Sequence, residues 1–125
     1  MKTVLVVDDS VTMRRMVIAS LRGIGAVAFQ EAGNGLEAIE RLALGPVGLV
    51  LLDLNMPDMH GLEVVSFLRS HATFCEIPII VLTTRGDEES RTAALAAGAT
   101  LYVTKPFEPA GLAESARALL NPDAH

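Results

Sequence analysis

Tryptophan is absent from this 125-residue chain, tyrosine and cysteine occur once each, and phenylalanine occurs four times. A core without indole must be built from Val, Leu, Ile, Ala and Met. Half of the residues are apolar, and a domain of this length buries roughly two thirds of its unfolded surface, so the material for such a core is present. The single thiol, Cys75, forms neither an intramolecular disulfide nor a zinc cluster of several thiolates, which fits a reducing compartment. His60, His71 and His125 share no metal-ligand spacing. Positive charge is also scarce: ten Lys and Arg face fifteen Asp and Glu, a net −5, so nucleic-acid backbones and anionic lipid repel the chain as a whole. No apolar run approaches the ~18 residues of a membrane span, and residues 4–7 are too few for a secretory signal. The expectation is one cytoplasmic domain over residues 1–125, without a separate output domain, direct nucleic-acid binding or membrane insertion.

Five short apolar runs have the length of strands: residues 4–7, 27–30, 49–52, 77–82 and 101–103. Four of them, all but 27–30, are apolar at nearly every position, the pattern of strands covered on both faces. Segments of helical period lie between and after them. Met13, Met16, Val17, Leu21 and Ile24 form one stripe, ending at Gly23 and Gly25. Leu36, Ile39 and Ala43 form a second, stopped by Gly45-Pro46, and Leu62, Val65 and Leu68 a third. Residues 88–97 begin acidic and stop at Gly98, and Pro109 opens a last helix with Leu112, Ala116, Leu119 and Leu120 inward. Five alternations of strand and helix predict an α/β fold, a (βα)5 doubly wound parallel sheet. Ligand chemistry in such sheets gathers at the carboxyl ends of the strands, beside the point where the winding reverses.

The residues that end the strands carry the chemistry. Strand one ends in Asp8 and Asp9, strand three in Asp53, strand four in Thr83 and Thr84, and strand five in Thr104 and Lys105. In a parallel sheet all of them reach one edge. Carboxylates crowded together repel unless a cation intervenes. A hard divalent ion resolves the conflict, and Mg²⁺, which takes one or two carboxylates and shares its other positions with water and phosphoryl oxygens, is the natural guest. A lysine and a hydroxyl opposite it suit a transferring phosphoryl group, and a carboxylate, best Asp53, is a competent nucleophile.

The chain resembles response-regulator receiver domains, in particular the stand-alone, chemotaxis-type CheY-like receivers. The resemblance rests on Val4-Leu-Val-Val-Asp8-Asp9, Thr12-Met-Arg-Arg15, Asp53-Leu-Asn-Met-Pro57 with Gly61, Thr83, and Tyr102-Val-Thr-Lys105-Pro106-Phe107. It implies the flavodoxin-like strand order 2-1-3-4-5. It also implies that Asp53 accepts a phosphoryl group from a sensor histidine kinase or histidine phosphotransfer protein. By the same resemblance, Asp9, Asp53 and the Asn55 carbonyl bind Mg²⁺ (or Mn²⁺), with Asp8 holding a metal-bound water. Lys105 pairs with the phosphoryl oxygens, the Lys105–Pro106 peptide is cis, Thr83 moves onto the phosphoryl group, and Tyr102 follows inward as a switch. The output is a changed surface on helix 4, strand 5 and helix 5 that acts on a downstream target protein. The protein is then no enzyme beyond its own phosphotransfer and dephosphorylation, and a monomer is expected.

Taken singly, these residues have plainer uses: Asp9 or Ser10 as a helix cap, Asp53 as a turn residue, Lys105 as a solvated charge, Thr83 and Tyr102 as strand packing. Jointly those explanations fail. Arg14 and Arg15 read as a solvated helix face, Cys75 as a small apolar filler and His60 as an exposed loop residue. His60, Thr84 and Arg85 depart from common receiver residues around the mouth of the site. A phosphorelay intermediate shares the whole pattern. A haloacid-dehalogenase-like phosphohydrolase would carry Asp where Asn55 stands and place its nucleophile on the first strand. A flavodoxin-like cofactor binder would not put Asp8 and Asp9 against a phosphate.

Overall fold

The computed structural model describes residues 2–56 and 60–121; Pro57 of the quoted motif and His125 lie outside them. The elements follow in the order β1 (Lys2–Val7), α1 (Val11–Leu21) with a 3-10 turn (Arg22–Ile24), β2 (Val27–Ala32), α2 (Gly35–Leu44), β3 (Leu49–Leu52), α3 (Gly61–Ser70), β4 (Ile79–Thr83), α4 (Glu88–Ala97), β5 (Leu101–Thr104) and α5 (Pro109–Leu120). All sheet pairings are parallel, in the order β2-β1-β3-β4-β5. This is the flavodoxin-like arrangement that the resemblance implied.

Strand periodicity divides the core in two. Leu5, Val7, Val50, Leu52, Ile79 and Val81 point to one face, where Ala38, Leu42, Val64, Val65, Leu68 and Ala94 of α2, α3 and α4 cover them. Val4, Val6, Leu49, Leu51, Ile80 and Leu82 point to the other, beneath Val17, Ile18 and Leu21 of α1 and Leu112, Ala116 and Leu120 of α5. Residues 4–7 of β1 and all of β3 and β4 are therefore buried whichever way they point, which is why residues 4–7, 49–52 and 79–82 are apolar throughout. At the edges, β2 and β5 are half-buried, and β2 accommodates Gln30 and Glu31. Among the described residues no helix is long and apolar enough to cross a membrane.

Several expectations need correction. β4 starts at Ile79 rather than residue 77, because Pro78 has no N–H for the ladder; its carbonyl still accepts from Val50. The buried stripe of α1 is Val17, Ile18 and Leu21, while Met16 is 51 % exposed. Leu36, next to buried Gly35, is 58 % exposed at the start of α2. Cys75 is an exposed loop residue and fills no core space. Gly98, with φ +121°, ends α4 as expected of a residue without a Cβ.

Candidate functional site

The winding reverses between β1 and β3, and the two residues that leave these neighbouring strands are Asp8 and Asp53. The backbone fixes both: Asp8 N–H donates to the Ala32 carbonyl (3.1 Å) and Asp53 N–H to the Val7 carbonyl (3.0 Å). Thr83 is the last residue of β4, and the Lys105 N–H, one residue past β5, donates to its carbonyl at 2.7 Å. The Lys105–Pro106 peptide is cis. Four strand ends thus deliver their polar residues to one cleft.

Asp8 (4 % exposed), Asp53 (8 %) and Thr83 (0 %) are buried, and Asp9 is exposed. One carboxylate oxygen from each of Asp8, Asp9 and Asp53 lies within 4.8 Å of the others. Lys105 enters from the β5 side, its Nζ 2.7 Å from Asp8 Oδ2 and 3.7 Å from Asp53 Oδ2. Burial raises the Asp53 pKa above its ordinary value, and the Asp8 charge adds to this; Lys105, the Asn55 amide and the Thr83 hydroxyl pull the other way. One ammonium among three carboxylates leaves a charge deficit that a divalent cation would fill. The donor set is all oxygen, without nitrogen or sulfur, and suits a hard ion that retains water or shares phosphoryl oxygens. The residues present therefore fit the metal expected of them.

The remaining candidates are arranged around this centre. The Asn55 N–H donates to Asp53 Oδ1 at 3.3 Å, so the residue two beyond Asp53 borders the site. Thr83 Oγ1 accepts from the Arg85 N–H at 3.3 Å. Tyr102 is half-buried, and its hydroxyl donates to the Arg85 carbonyl, which ties β5 to the loop after β4. Thr84 and Arg85 are exposed at the mouth. His60 is exposed as expected and also caps α3, its Nδ1 accepting from the Leu62 N–H. Ser10, not Asp9, caps α1, accepting from the Met13 N–H.

Arg14 departs from the solvated helix face expected of it. Its side chain is only 14 % exposed, with Nε 2.9 Å from Glu31 Oε1 and Nη1 2.6 Å from the Asp8 carbonyl. The signal was available in the topology: Arg14 lies one turn past the Ser10 cap, and Glu31 is near the end of the strand paired with β1.

Comparison with known proteins agrees with this geometry. Residues 4–117 match the family described as the response regulator receiver domain. The chain is 44 % identical over 117 residues to the chemotaxis protein CheY1 of Helicobacter pylori, covering 93 % of this chain and 94 % of that protein. It superposes on the chemotaxis response regulator CheY4 of Vibrio cholerae with a TM-score of 0.86 at 34 % identity, over 95 % of this chain and 98 % of the other. A Mn²⁺-bound form of the response regulator Rcp1 superposes with a TM-score of 0.80 at 26 % identity, over 97 % and 93 % of the two chains.

Proposed function

This chain belongs to the response regulator receiver family, and from that membership we propose that Asp53 is its phosphoacceptor, in a two-component pathway that controls chemotaxis. The observation that carries the assignment is the position of Lys105, bonded to Asp8 and 3.7 Å from Asp53 at the carboxyl edge of the sheet. The chemotaxis assignment is supported by the relatives' own description as chemotaxis proteins. A phosphorelay shuttle would use the same centre.

An Asp53 carboxylate oxygen attacks the phosphorus of the donor. The new O–P bond forms as the N–P bond of a phosphohistidine, or the O–P bond of an acyl phosphate, breaks, and the leaving group departs with the electron pair. Lys105 supplies a cation for the transferring oxygens, and the buried Thr83 hydroxyl donates to one of them. A divalent ion held by Asp8, Asp9, Asp53 and the Asn55 carbonyl, Mg²⁺ in our reading with Mn²⁺ able to replace it, would neutralise the phosphoryl charge. Receivers are signalling proteins, so the transfer is stoichiometric; loss of the group is catalysed by the same residues. Two added negative charges at most, acting through Lys105 and Thr83, bias the loop that Tyr102 holds and thereby the α4-β5-α5 surface offered to a target protein. The donor is a sensor histidine kinase or a histidine phosphotransfer protein, and the protein acts as a cytoplasmic monomer.

The test is incubation with Mg²⁺ and acetyl phosphate followed by intact mass. A base-labile gain of about 80 Da, one phosphoryl group, is expected in the wild type and not in Asp53→Asn. Absence of the adduct with both acetyl phosphate and a histidine kinase, while metal still binds, would overturn the assignment. Multiple turnovers of simple phosphate esters would do the same.

A further inference from the structure

We propose that Arg14 is a positioning residue for the metal site: it sets the direction of the Asp9 carboxylate by holding the carbonyl of Asp8. The inference rests on the function proposed above and concerns a residue outside the acidic centre.

Asp8 is engaged at every polar atom. Its N–H donates to the Ala32 carbonyl, Oδ1 accepts from the Ser10 N–H at 2.9 Å, Oδ2 pairs with Lys105 at 2.7 Å, and its carbonyl accepts from Arg14 Nη1 at 2.6 Å. The last of these orients more than Asp8. A peptide unit is planar, so the direction of the Asp8 carbonyl determines where the next N and Cα lie, and with them the origin of the Asp9 side chain. Asp9 is exposed, and yet its carboxylate contributes to a cluster that spans no more than 4.8 Å.

The guanidinium is itself held in place. Glu31, near the end of the neighbouring strand, receives Nε at 2.9 Å, and Arg41 Nε donates to the Glu31 carbonyl at 3.3 Å. Two single contacts from different nitrogens of one rigid planar group, Nε to Glu31 and Nη1 to Asp8, give Arg14 a fixed orientation that a lysine ammonium cannot reproduce. The residues supporting a metal ligand commonly change metal affinity by 10–100-fold when removed.

Charge and position predict opposite signs. Arg14 is a cation beside a cation site, so on Coulomb grounds its removal would tighten metal binding. If it positions Asp9, removal weakens binding.

The experiment measures Mn²⁺ affinity by electron paramagnetic resonance, with thermal unfolding in EDTA alongside. Arg14→Met is expected to bind Mn²⁺ about tenfold more weakly than wild type. Arg14→Lys, which restores one donor, is expected to recover part of the loss. A folded Arg14→Met protein that binds Mn²⁺ as well as or better than wild type would overturn the proposal. Should Arg14→Met not fold, Arg14→Lys decides: weaker binding than wild type supports the proposal, and wild-type affinity refutes it. Failure of the wild-type protein itself to bind Mn²⁺ would count against the metal site and the function built on it, a result distinct from an unaltered variant.

Discussion

Lys105 Nζ and Asp8 Oδ2 are 2.7 Å apart at the edge of the sheet, with side-chain exposures of 10 % and 6 %, so this ion pair is buried at both ends. In the function proposed above, a phosphoryl group on Asp53 would compete with Asp8 for the same ammonium. Buried Asp8 would release Lys105 at low cost only where another cation replaces it, so the proposal couples metal binding to phosphotransfer.

Lys105→Met tests that coupling. Buried Asp8 and Asp53 lose their cation, and the metal-free protein is expected to lose about 3 kcal/mol in urea unfolding. Mg²⁺ should restore much of the loss and bind more tightly than in wild type, since a repelling charge has gone. Adduct formation with acetyl phosphate should nonetheless be slower. Unchanged stability in EDTA would show that the pair contributes nothing net.

Asp53→Asn should stabilise the metal-free protein at neutral pH. Burial raises the Asp53 pKa, so the fold favours the protonated carboxyl. That contribution is complete below the unfolded-state value and is lost as pH rises through the raised folded value, leaving the ionised group a liability at pH 7. In EDTA the variant should melt above wild type at pH 7, with the gap closing towards pH 4. Mg²⁺ should raise the wild-type Tm more than the variant's.

The strands that position this centre were legible because residues 4–7, 49–52 and 79–82 are buried on both faces and carry no polar interruption. Asp8, Asp53, Thr83 and Lys105 were legible for a related reason: the first three are each the first polar residue after an apolar run, Lys105 follows Thr104 at the end of the last run, and parallel topology sends all four to one edge. Periodicity says nothing of where a polar flank reaches, so by pattern alone Arg14 reads as a solvated residue. It also overextended the apolar stripes to Met16 and Leu36, whose helix positions face water. The Tyr102–Arg85 bond depends on the path of the loop between β4 and α4, which neither pattern nor spacing specifies.

Gly61→Ala should disturb the loop that follows Asp53. A Cβ at Gly61 would stand 2.6 Å from Leu54 Cα and 2.7 Å from the Asp53 carbonyl oxygen, both backbone atoms, so no side chain can turn aside to admit it. The Gly61 N–H also donates to the Leu54 carbonyl at 2.9 Å. A cost of roughly 1–3 kcal/mol in urea unfolding is expected, as for other overpacked sites, together with slower adduct formation. Wild-type values for both would mean that the chain there relaxes freely.

Asp87 caps α4, with Oδ2 accepting from the Ser90 N–H at 2.9 Å and Oδ1 from the Ser90 hydroxyl at 3.0 Å. The backbone bond first, and then the hydroxyl bond, lowers the Asp87 pKa. Stabilisation from such a group is full above its unfolded value and fades as pH falls through the lowered folded value. The Ser90 amide resonance should therefore titrate with a midpoint below the usual Asp range. Asp87→Ala should abolish that titration and fray the first turn of α4, read as faster amide exchange there.

Tyr102 offers a direct test of the proposed switch, since it is the only tyrosine and there is no tryptophan to mask it. Burial first, and then the Asp87 charge, raises its pKa, so alkaline absorbance titration should give a midpoint above that of free tyrosine. Tyr102→Phe removes the donor to the Arg85 carbonyl; at this half-exposed place the loss should be on the order of 0.5 kcal/mol, with faster amide exchange at Gly86 and Asp87. If Thr83 and Tyr102 move together when Asp53 is modified, the tyrosine fluorescence of the wild type must change on phosphorylation. A spectrum that stays constant through adduct formation would separate Tyr102 from the switch and leave its hydroxyl as a loop tether alone.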